Sequence, residues 1–197
     1  GSRYLINGEP TENLLALGSK GALRYEVVAA GRMAHSAYPE LGESAIDKLL
    51  DALERMRRVP LPRDEVLGAG TLNIGTIHGG RAPNVIADAA IAEVMIRLVG
   101  DAGPLQQAFR EAAGAGVELR EVLCVPAVRL NSIEGFPATV VAYTTDIPAF
   151  AGAWGKPFLM GPGSIHVAHT SEERVPKRQL LEAVPIYQRM VKHLVSQ

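Results

Sequence analysis

Residues 44–58, SAIDKLLDALERMRR, carry the most regular apolar pattern in the chain and decide its fold. Apolar residues recur at helical spacing on one stripe, which comprises Ala45, Ile46, Leu49, Leu50, Leu53 and Met56. Charged residues occupy the opposite side, as expected for a helix that packs on a core. Ser44 suits the N-cap position, and Pro60 and Pro62 follow the last turn, so the pattern predicts an amphipathic helix between them.

Strand patterns lie on both sides of this helix. Residues 23–30 alternate between apolar and polar, and strands are also predicted at 72–78, 86–99 and 117–125, with a second helix at 104–113. The order strand, helix, strand, strand, helix, strand predicts an α+β fold. It favours a ferredoxin-like four-stranded antiparallel sheet with two helices on one face. Such a sheet has exposed edges, and pairing with a second copy is one way to cover them, so we expect a homodimer.

The flanking segments have a different character. We divide the chain into 1–19, in which Gly1 and Ser2 are typical of a cleaved tag, 20–129, and 130–197. The last segment predicts short strands at 140–143 and 158–160, a brief helix at 148–154 capped by Asp146, and a final helix at 177–195 interrupted by Pro185. Two short strands cannot bury that helix, so this segment is interpreted as an incomplete α/β domain.

Composition excludes several functional classes. The chain has 197 residues, of which 47% are hydrophobic and 21% charged, with 20 Lys and Arg against 21 Asp and Glu. This balance argues against nucleic acid as a partner and against a membrane surface held by basic charge. The chain contains no apolar run near the roughly 20 residues that span a bilayer, and no secretory signal. The single cysteine, Cys124, fits a reducing compartment, so we expect a cytoplasmic location.

Two segments could bind an ion, one through metal-ligating side chains and one through backbone N–H groups. His166 and His169 lie three residues apart beside Glu172 and Glu173; this segment could ligate zinc or be a polar surface loop. The sequence 161–164, GPGS, could expose backbone N–H groups to an anion, although the pattern is common in turns.

Four further residues stand out by position. Glu9 lies in a turn after a predicted strand, and His35 lies in a loop before the long helix; each could equally be a solvated surface residue. Asn84 fits a turn residue unless a ligand is nearby. Arg97 lies within a predicted strand, where a partly buried guanidinium needs a carboxylate partner or a ligand.

Taken in order, the motifs resemble a known enzyme family. They are GEPT at 8–11, GRMAHS at 31–36, PELG at 39–42, NIG at 73–75, GG at 79–80, PNV at 83–85, IR at 96–97, GPG at 161–163 and AHT at 168–170. The chain is similar to the metallopeptidase and deacetylase family that includes acetylornithine deacetylase, succinyl-diaminopimelate desuccinylase, aminoacylase and glutamate carboxypeptidase. The closing motifs favour the deacetylase and desuccinylase branch.

The resemblance implies an enzyme with a catalytic α/β domain that holds two zinc ions and an inserted lid that dimerises. Residues 20–129 match the lid. By resemblance, Glu9 and His169 are ligands of different zinc ions, and His35 reaches into the partner subunit to stabilise an oxyanion. The resemblance also implies that Asn84 and Arg97 bind the substrate carboxylate, and that Gly163 and Ser164 line the substrate pocket. The implied substrate is a small N-acyl amino acid or a peptide.

The chain departs from the family pattern in one respect. It contains no His-x-Asp motif, and its only Glu-Glu pair, Glu172–Glu173, follows the last expected ligand. The bridging carboxylate and the general base of the family therefore have no counterpart here, so each zinc site is incomplete. The leading hypothesis is a fragment of a dinuclear zinc amidohydrolase that is inactive alone. The alternative is a stand-alone, non-catalytic dimerisation or ligand-binding module.

Overall fold

The computed structural model describes residues 1–197, which form eleven strands and three α-helices. In chain order these are β1 Tyr4–Asn7, β2 Leu15–Ser19, β3 Gly21–Ala30, α1 Ala45–Arg58, β4 Arg63–Asp64, β5 Gly68–Ala69, β6 Thr71–Gly79, β7 Ala89–Leu98, α2 Gly103–Ala113, β8 Val117–Val125, β9 Val128–Arg129, β10 Ala138–Val141, β11 Lys156–Leu159 and α3 Lys177–Val195. The chain divides into two compact units. We call Gly21–Asp64 with Gly68–Pro126 the sheet–helix unit, and Gly1–Lys20, Glu65–Leu67 and Ala127–Gln197 the terminal unit.

The sheet–helix unit is built on a four-stranded antiparallel sheet in the order β6-β7-β3-β8. Strand β3 lies in the centre and pairs with β7 along its whole length, from Gly21 opposite Leu98 to Ala30 opposite Ala89. Helix α1 lies between β3 and β6 in the chain, and α2 lies between β7 and β8. In the sheet each of these two pairs of strands is separated by one other strand, which is the ferredoxin-like arrangement. The α+β fold class predicted from the order of elements is therefore confirmed.

Strict alternation along β3 and β7 separates a buried face from an open one. Leu23, Tyr25 and Val27 point into the core together with Val94 and Ile96, whereas the residues between them are only half-buried. This pattern follows from the two-residue period of a strand, because one face packs on the helices and the other does not.

Helix α1 covers that face with the stripe identified in the sequence. Leu49, Leu53 and Met56 are buried in the core, and the Ser44 hydroxyl caps the helix by accepting a hydrogen bond from the Asp47 N–H at 3.2 Å. Leu50 is the exception within the predicted stripe, because half of it is exposed to solvent at the stripe's edge.

Arg55 joins the two helices. Its Nε and Nη2 atoms donate to the carbonyls of Ala112 and Ala113 at 2.7 and 2.8 Å, at the end of α2. These are carbonyls that a helix end leaves without partners, and a cation is favoured there by the helix dipole. Helix α2 then ends at Gly114, which adopts a positive φ of 74° as helix-terminating glycines do.

The terminal unit contains two small sheets. Strand β1 pairs in parallel with β11, and β2 lies between β10, with which it is parallel, and β9. One cluster of buried residues, among them Leu15, Phe158 and Met160, packs against Met190 and Leu194 of α3. The parallel pairs in this unit are short, with four residues in β1, β10 and β11 and five in β2.

Helix α3 is apolar on two sides. Ala183, Met190 and Leu194 are buried, yet a second row at helical spacing is exposed; it comprises Leu181, Val184, Val191 and Val195. Leu181 is 75% exposed. A surface helix ordinarily has one apolar stripe that faces the core, so this second row is apolar surface that nothing in the chain covers.

The structure corrects four details of the sequence analysis. The strand predicted at 86–99 begins only at Ala89, because Ile86 to Asp88 bond to the loop after β3. The helix predicted at 148–154 is a single 3-10 turn over Ile147–Phe150, which ends where Ala151 takes a left-handed conformation. Asp146 precedes this turn but makes no side-chain capping bond. The strand predicted at 140–143 is shifted to Ala138–Val141. None of the helices is both long and apolar enough to cross a bilayer.

Candidate functional site

The turn after β1 is held tightly against the segment after β11. The N–H of Gly161 donates to Thr11 Oγ1 at 3.0 Å, and the N–H of Thr11 donates to the Gly161 carbonyl at 3.1 Å. A Cβ atom at position 161 would lie 2.6 Å from the Glu9 carbonyl oxygen, so only glycine allows this approach. The GEPT and GPG motifs, 150 residues apart in sequence, therefore form one structural element that fixes Glu9.

Glu9 is half-buried in this element. Burial raises the pKa of its carboxyl group, and the nearby negative charge of Asp146 raises it further. The Tyr143 hydroxyl donates to the Pro10 carbonyl at 3.1 Å, and burial followed by the charge of Glu9 raises the pKa of Tyr143. Such perturbed groups cluster at functional sites more often than elsewhere. No sequence pattern indicates Tyr143, and the position of Asp146 in the sequence indicates only a helix cap.

Glu9 opens onto a cavity of ≈ 340 Å³ in the terminal unit. Gly163 and Ser164, which the sequence analysis assigned to a substrate pocket, line the same cavity. Its wall also includes Ala168, the residue directly before His169. The structure thus gathers Glu9, Gly163 and Ser164 around one cavity, whereas His169 follows a residue of its wall.

His169 itself is exposed at the rim. Its φ of 61° lies in the left-handed region that favours glycine, and its N–H donates to Glu173 Oε2 at 2.6 Å. A non-glycine residue in this region stores strain, which is a common property of ligand-binding positions. The carboxylate of Glu173 is therefore engaged in holding the loop that presents the histidine.

The chain by itself does not assemble a metal centre. No group of three or more His, Cys, Asp and Glu side chains is placed so that it could hold a metal ion. His166 turns to a separate cavity, which it lines together with Tyr143, so it does not join His169. The assignment of Glu9 and His169 as metal ligands therefore stays a prediction. Glu9 and His169 alone fall short of the three protein ligands of a catalytic zinc site.

The second cluster lies in the sheet–helix unit, where two loops meet beyond one end of the sheet. The loop after β3 carries His35, and the loop between β6 and β7 carries Asn84. The N–H of Ser36 donates to the Asn84 carbonyl at 2.9 Å, and His35 and Val85 form an isolated β-bridge. His35 and Asn84, 49 residues apart in the numbering, are therefore neighbours on an exposed surface.

The His35 ring has a defined orientation. Its Nδ1 atom accepts a hydrogen bond from the Ala37 N–H at 3.1 Å, and the ring packs edge-on against Tyr38 with centroids 6.4 Å apart. Because Nδ1 acts as the acceptor, the proton of the neutral imidazole resides on Nε2. The side chain can donate one hydrogen bond to a ligand.

Arg97 lies at the opposite end of the same sheet. It is half-buried on β7, between Ala22 of β3 and Thr71 of β6. At about 3.4 Å per residue, the strand from Ala89 to Arg97 spans about 27 Å, and Asn84 lies beyond Ala89. The structure therefore brings Asn84 to His35 but does not bring it to Arg97.

Comparisons with known proteins identify the family of the chain. A family model described as the peptidase dimerisation domain of the M20 class matches residues 17–136. An M20 peptidase domain-containing protein of Schizosaccharomyces pombe is 41% identical over 94% of this chain and 47% of its own length. A probable carboxypeptidase of Aspergillus niger is 40% identical over 98% of this chain and 51% of its own length. The chain thus spans about half the length of these curated relatives.

Solved structures show the same fold. A tripeptidase from Staphylococcus aureus superposes with a TM-score of 0.73 at 22% identity, over 98% of this chain and 57% of the other. The aminopeptidase PepT of Bacillus cereus gives a TM-score of 0.72 at 17% identity, over 94% of this chain and 55% of the other. At these identities the superposition establishes the architecture alone.

Proposed function

Because the chain belongs to the M20 peptidase dimerisation-domain family, we propose that it is the dimerising lid and the C-terminal part of the catalytic domain of a longer amide hydrolase. The longer protein, called the parent below, cleaves a peptide or an N-acyl amino acid with a free carboxylate. One observation carries this proposal: nearly the whole chain is matched by relatives of which it covers only 47–51%.

The terminal unit supports the same conclusion. Its parallel strands are few and short, and α3 exposes an apolar row that nothing in the chain covers. Both features fit a domain whose remaining layers come from another part of the parent. A complete single domain of this class would bury that row, because burial of apolar surface is the main term that stabilises it.

A dimerisation domain implies self-association, and the sheet–helix unit offers two free edges for it. Strands β6 and β8 are the outer strands, and most of their residues are exposed. Unpaired N–H and C=O groups along such an edge bind another strand readily. We expect two copies to pair through this unit. Light scattering at tens of micromolar tests this, and a monomer there contradicts it.

His35 and Asn84 are assigned to the substrate as a pair. The distance along β7 prevents Asn84 and Arg97 of one subunit from contacting the same substrate carboxylate. If His35 reaches the active site of the partner subunit, Asn84 reaches it too, whereas Arg97 serves a different site. His35 then donates from Nε2 to the carbonyl oxygen that becomes negatively charged as the amide is attacked.

Zinc is assigned to the parent and not to this chain alone. Peptidases of this family generally depend on a metal, and the parent would supply the ligands that Glu9 and His169 lack. The donor set present here does not fit a metal centre, so no reaction step is derived through one. The single Cys124 supports a cytoplasmic location for the parent.

The names of the relatives refine the substrate class. The relative from Aspergillus niger is named a probable carboxypeptidase, and several other fungal relatives carry the same name. We therefore prefer peptides and N-acyl amino acids with a free carboxylate. The narrower deacetylase activity suggested by the closing motifs stays a prediction.

The experiment compares the parent with the present chain. Release of amino acid from dipeptides and N-acyl amino acids is measured for both, with zinc added. Activity in the parent that His35→Ala lowers, together with none in the 197-residue chain, supports the proposal. His193→Ala serves as a matched histidine control, because His193 lies on the exposed surface of α3. A parent without hydrolase activity would leave the non-catalytic dimerisation module as the function.

A further inference from the structure

The loop that carries Asn84 is closed at its base by an ion pair. Arg81 Nε lies 3.2 Å from Asp88 Oδ1, and Arg81 Nη2 lies 2.9 Å from Asp88 Oδ2. Both oxygens of the carboxylate are thus engaged by one edge of the guanidinium, which is the strong bidentate geometry for this pair. The Arg81 hydrogen bond holds the pKa of Asp88 below its usual range.

Across the base of the loop itself, the backbone contributes little, because its shorter bonds run to neighbouring segments, among them the bond from the Ala45 N–H to the Ala87 carbonyl at 2.8 Å. One long bond joins the Gly80 N–H to the Ala89 carbonyl at 3.3 Å, and a turn at the tip joins the Val85 N–H to the Ala82 carbonyl at 3.1 Å. Between these two bonds, the side chains of Arg81 and Asp88 are the contact that closes the loop.

Asp88 also connects this loop to the one that carries His35. Its carbonyl accepts from the Gly31 N–H at 2.8 Å, where the His35 loop begins. Further along, the Ile86 N–H donates to the Ala34 carbonyl at 2.9 Å, beside His35. Asp88 is thus the point at which the ion pair and the contact between the two loops meet.

We infer that Arg81 and Asp88 are positioning residues that hold the Asn84 loop closed against the His35 loop, so that Asn84 and His35 face a ligand as one rigid pair. The role of that pair in hydrolysis rests on the proposed function, whereas the closure of the loop does not. Asp88 is the shielded partner, because its side chain is 27% exposed against 64% for Arg81.

An isolated surface ion pair contributes little to stability unless its geometry is favourable. Here the pair is bidentate and joins the two ends of one loop. Asp88 is also held by the hydrogen bond from the Gly31 N–H to its carbonyl. Direct binding of substrate by Arg81 is the competing role. Asp88 already occupies the Nε–Nη2 edge of the guanidinium, which makes that role the weaker one.

The first test measures amide hydrogen exchange in the present chain. We expect Arg81→Met to accelerate exchange at Ser36 and Ile86, whose N–H groups bridge the loops, by about fivefold. Arg81→Lys should act in the same direction, because an ammonium cannot form the bidentate pair. The exchanged pair Arg81→Asp with Asp88→Arg should restore protection.

Arg120→Met is the matched control. Arg120 forms a comparable exposed ion pair with Glu118 at 2.8 Å, but on β8 and away from both loops. This variant should leave exchange at Ser36 and Ile86 unchanged. Unchanged exchange in Arg81→Met as well would overturn the inference.

The second test measures kcat and KM of the parent with the same variants. A misplaced His35 should lower kcat of Arg81→Met by about tenfold to a hundredfold, with recovery in the exchanged pair. A rise in KM that the exchanged pair does not reverse would show that Arg81 binds substrate, and would overturn the positioning role. Faster exchange without any change in kcat would overturn it too. A wild-type parent without hydrolase activity refutes the proposed function, while the exchange data still decide on the loop.

Discussion

The backbone N–H of Ala37 donates to Nδ1 of His35 across 3.1 Å and so leaves the proton of the neutral ring on Nε2. The bond is formed within one turn, two residues along the chain, and the ring edge packs on Tyr38. A histidine held in this way is a hydrogen-bond donor of fixed direction. Its donor atom does not depend on the arrival of a substrate.

This relationship predicts different effects for two amide substitutions at position 35. The side-chain nitrogen of glutamine can occupy the place of Nε2, whereas that of asparagine falls near Nδ1. In the parent, His35→Ala and His35→Asn should lower kcat by about a hundredfold to a thousandfold, as for loss of one oxyanion donor. His35→Gln should retain more activity than His35→Asn. Equal losses in the two would argue against donation from Nε2.

The tautomer can be measured without activity. The ¹⁵N chemical shifts of the His35 ring in the present chain distinguish a protonated nitrogen from an unprotonated one. We expect the neutral ring to carry its proton on Nε2. A proton on Nδ1 would contradict the hydrogen bond from Ala37.

Neighbouring leucines on α1 should differ sharply in their contribution to stability. Leu49 is 1% exposed in the core, whereas Leu50 is 50% exposed at the edge of the stripe. Leu49→Ala should lower the free energy of unfolding by about 2–5 kcal/mol through lost burial and a cavity. Leu50→Ala should cost less than about 1 kcal/mol. Urea unfolding of both variants measures the difference, and equal losses would refute the packing of α1.

Tyr25 makes the sheet–helix unit sensitive to alkali. Burial, followed by the negative charge of Glu121, raises the pKa of this core tyrosine to about 12, above the 10.0 of a free tyrosine. The folded state therefore favours the protonated phenol. This contribution is complete below pH 10 and is lost as the pH rises towards 12.

The Tyr25→Phe variant tests this contribution. Between pH 10 and pH 12, its free energy of unfolding should fall less than that of the wild type. At neutral pH the variant should differ by only about 1 kcal/mol, the usual net contribution of a single hydroxyl. Tyr38→Phe is the control, since Tyr38 is exposed. Thermal unfolding followed by circular dichroism across this pH range provides the measurement. Equal alkaline losses in the Tyr25→Phe variant and the wild type would exclude Tyr25 as their source.

The exposed row on α3 predicts opposite effects in the chain and in its parent. In the present chain, Leu181→Glu should reduce binding of the dye ANS and association at high concentration, because it interrupts an apolar patch. Gln188→Glu adds the same charge on the same helix without removing apolar surface, and should change neither. In the parent, Leu181→Glu should instead lower the melting temperature, since the row is covered there. A parent that tolerates the substitution would mean that the row stays exposed.

Much of the sheet–helix unit follows from local sequence. The 3.6-residue period of α1 and the two-residue alternation of β3 each determine which face is buried, and the order of elements leaves few topologies. The bounds of α3 and β8 coincide with the sequence prediction, residues 177–195 and 117–125. In these segments local pattern and tertiary packing require the same structure.

The site was less predictable, because its contacts join residues far apart in sequence. The influence of Asp146 on the Glu9 carboxyl and the bond of Tyr143 to Pro10 span more than 130 residues, so no local pattern indicates them. Strand β2, LALGS, lacks alternation because Leu15, Ala16, Gly18 and Ser19 are all buried. The resemblance to a family identified Asn84 and Arg97 as candidates. Only the structure shows that most of β7 lies between them.

The sheet also acts as a spacer of fixed length. Hydrogen bonds to both neighbours hold β7 between the Asn84 loop at one end and Arg97 at the other. Inserting two residues into this strand would lengthen the spacer by about 7 Å and keep each side chain on its face, whereas inserting one would turn Arg97 from the open face into the core. The loops of this chain can change in length, but β7 cannot gain or lose an odd number of residues without exchanging its buried face for its open one.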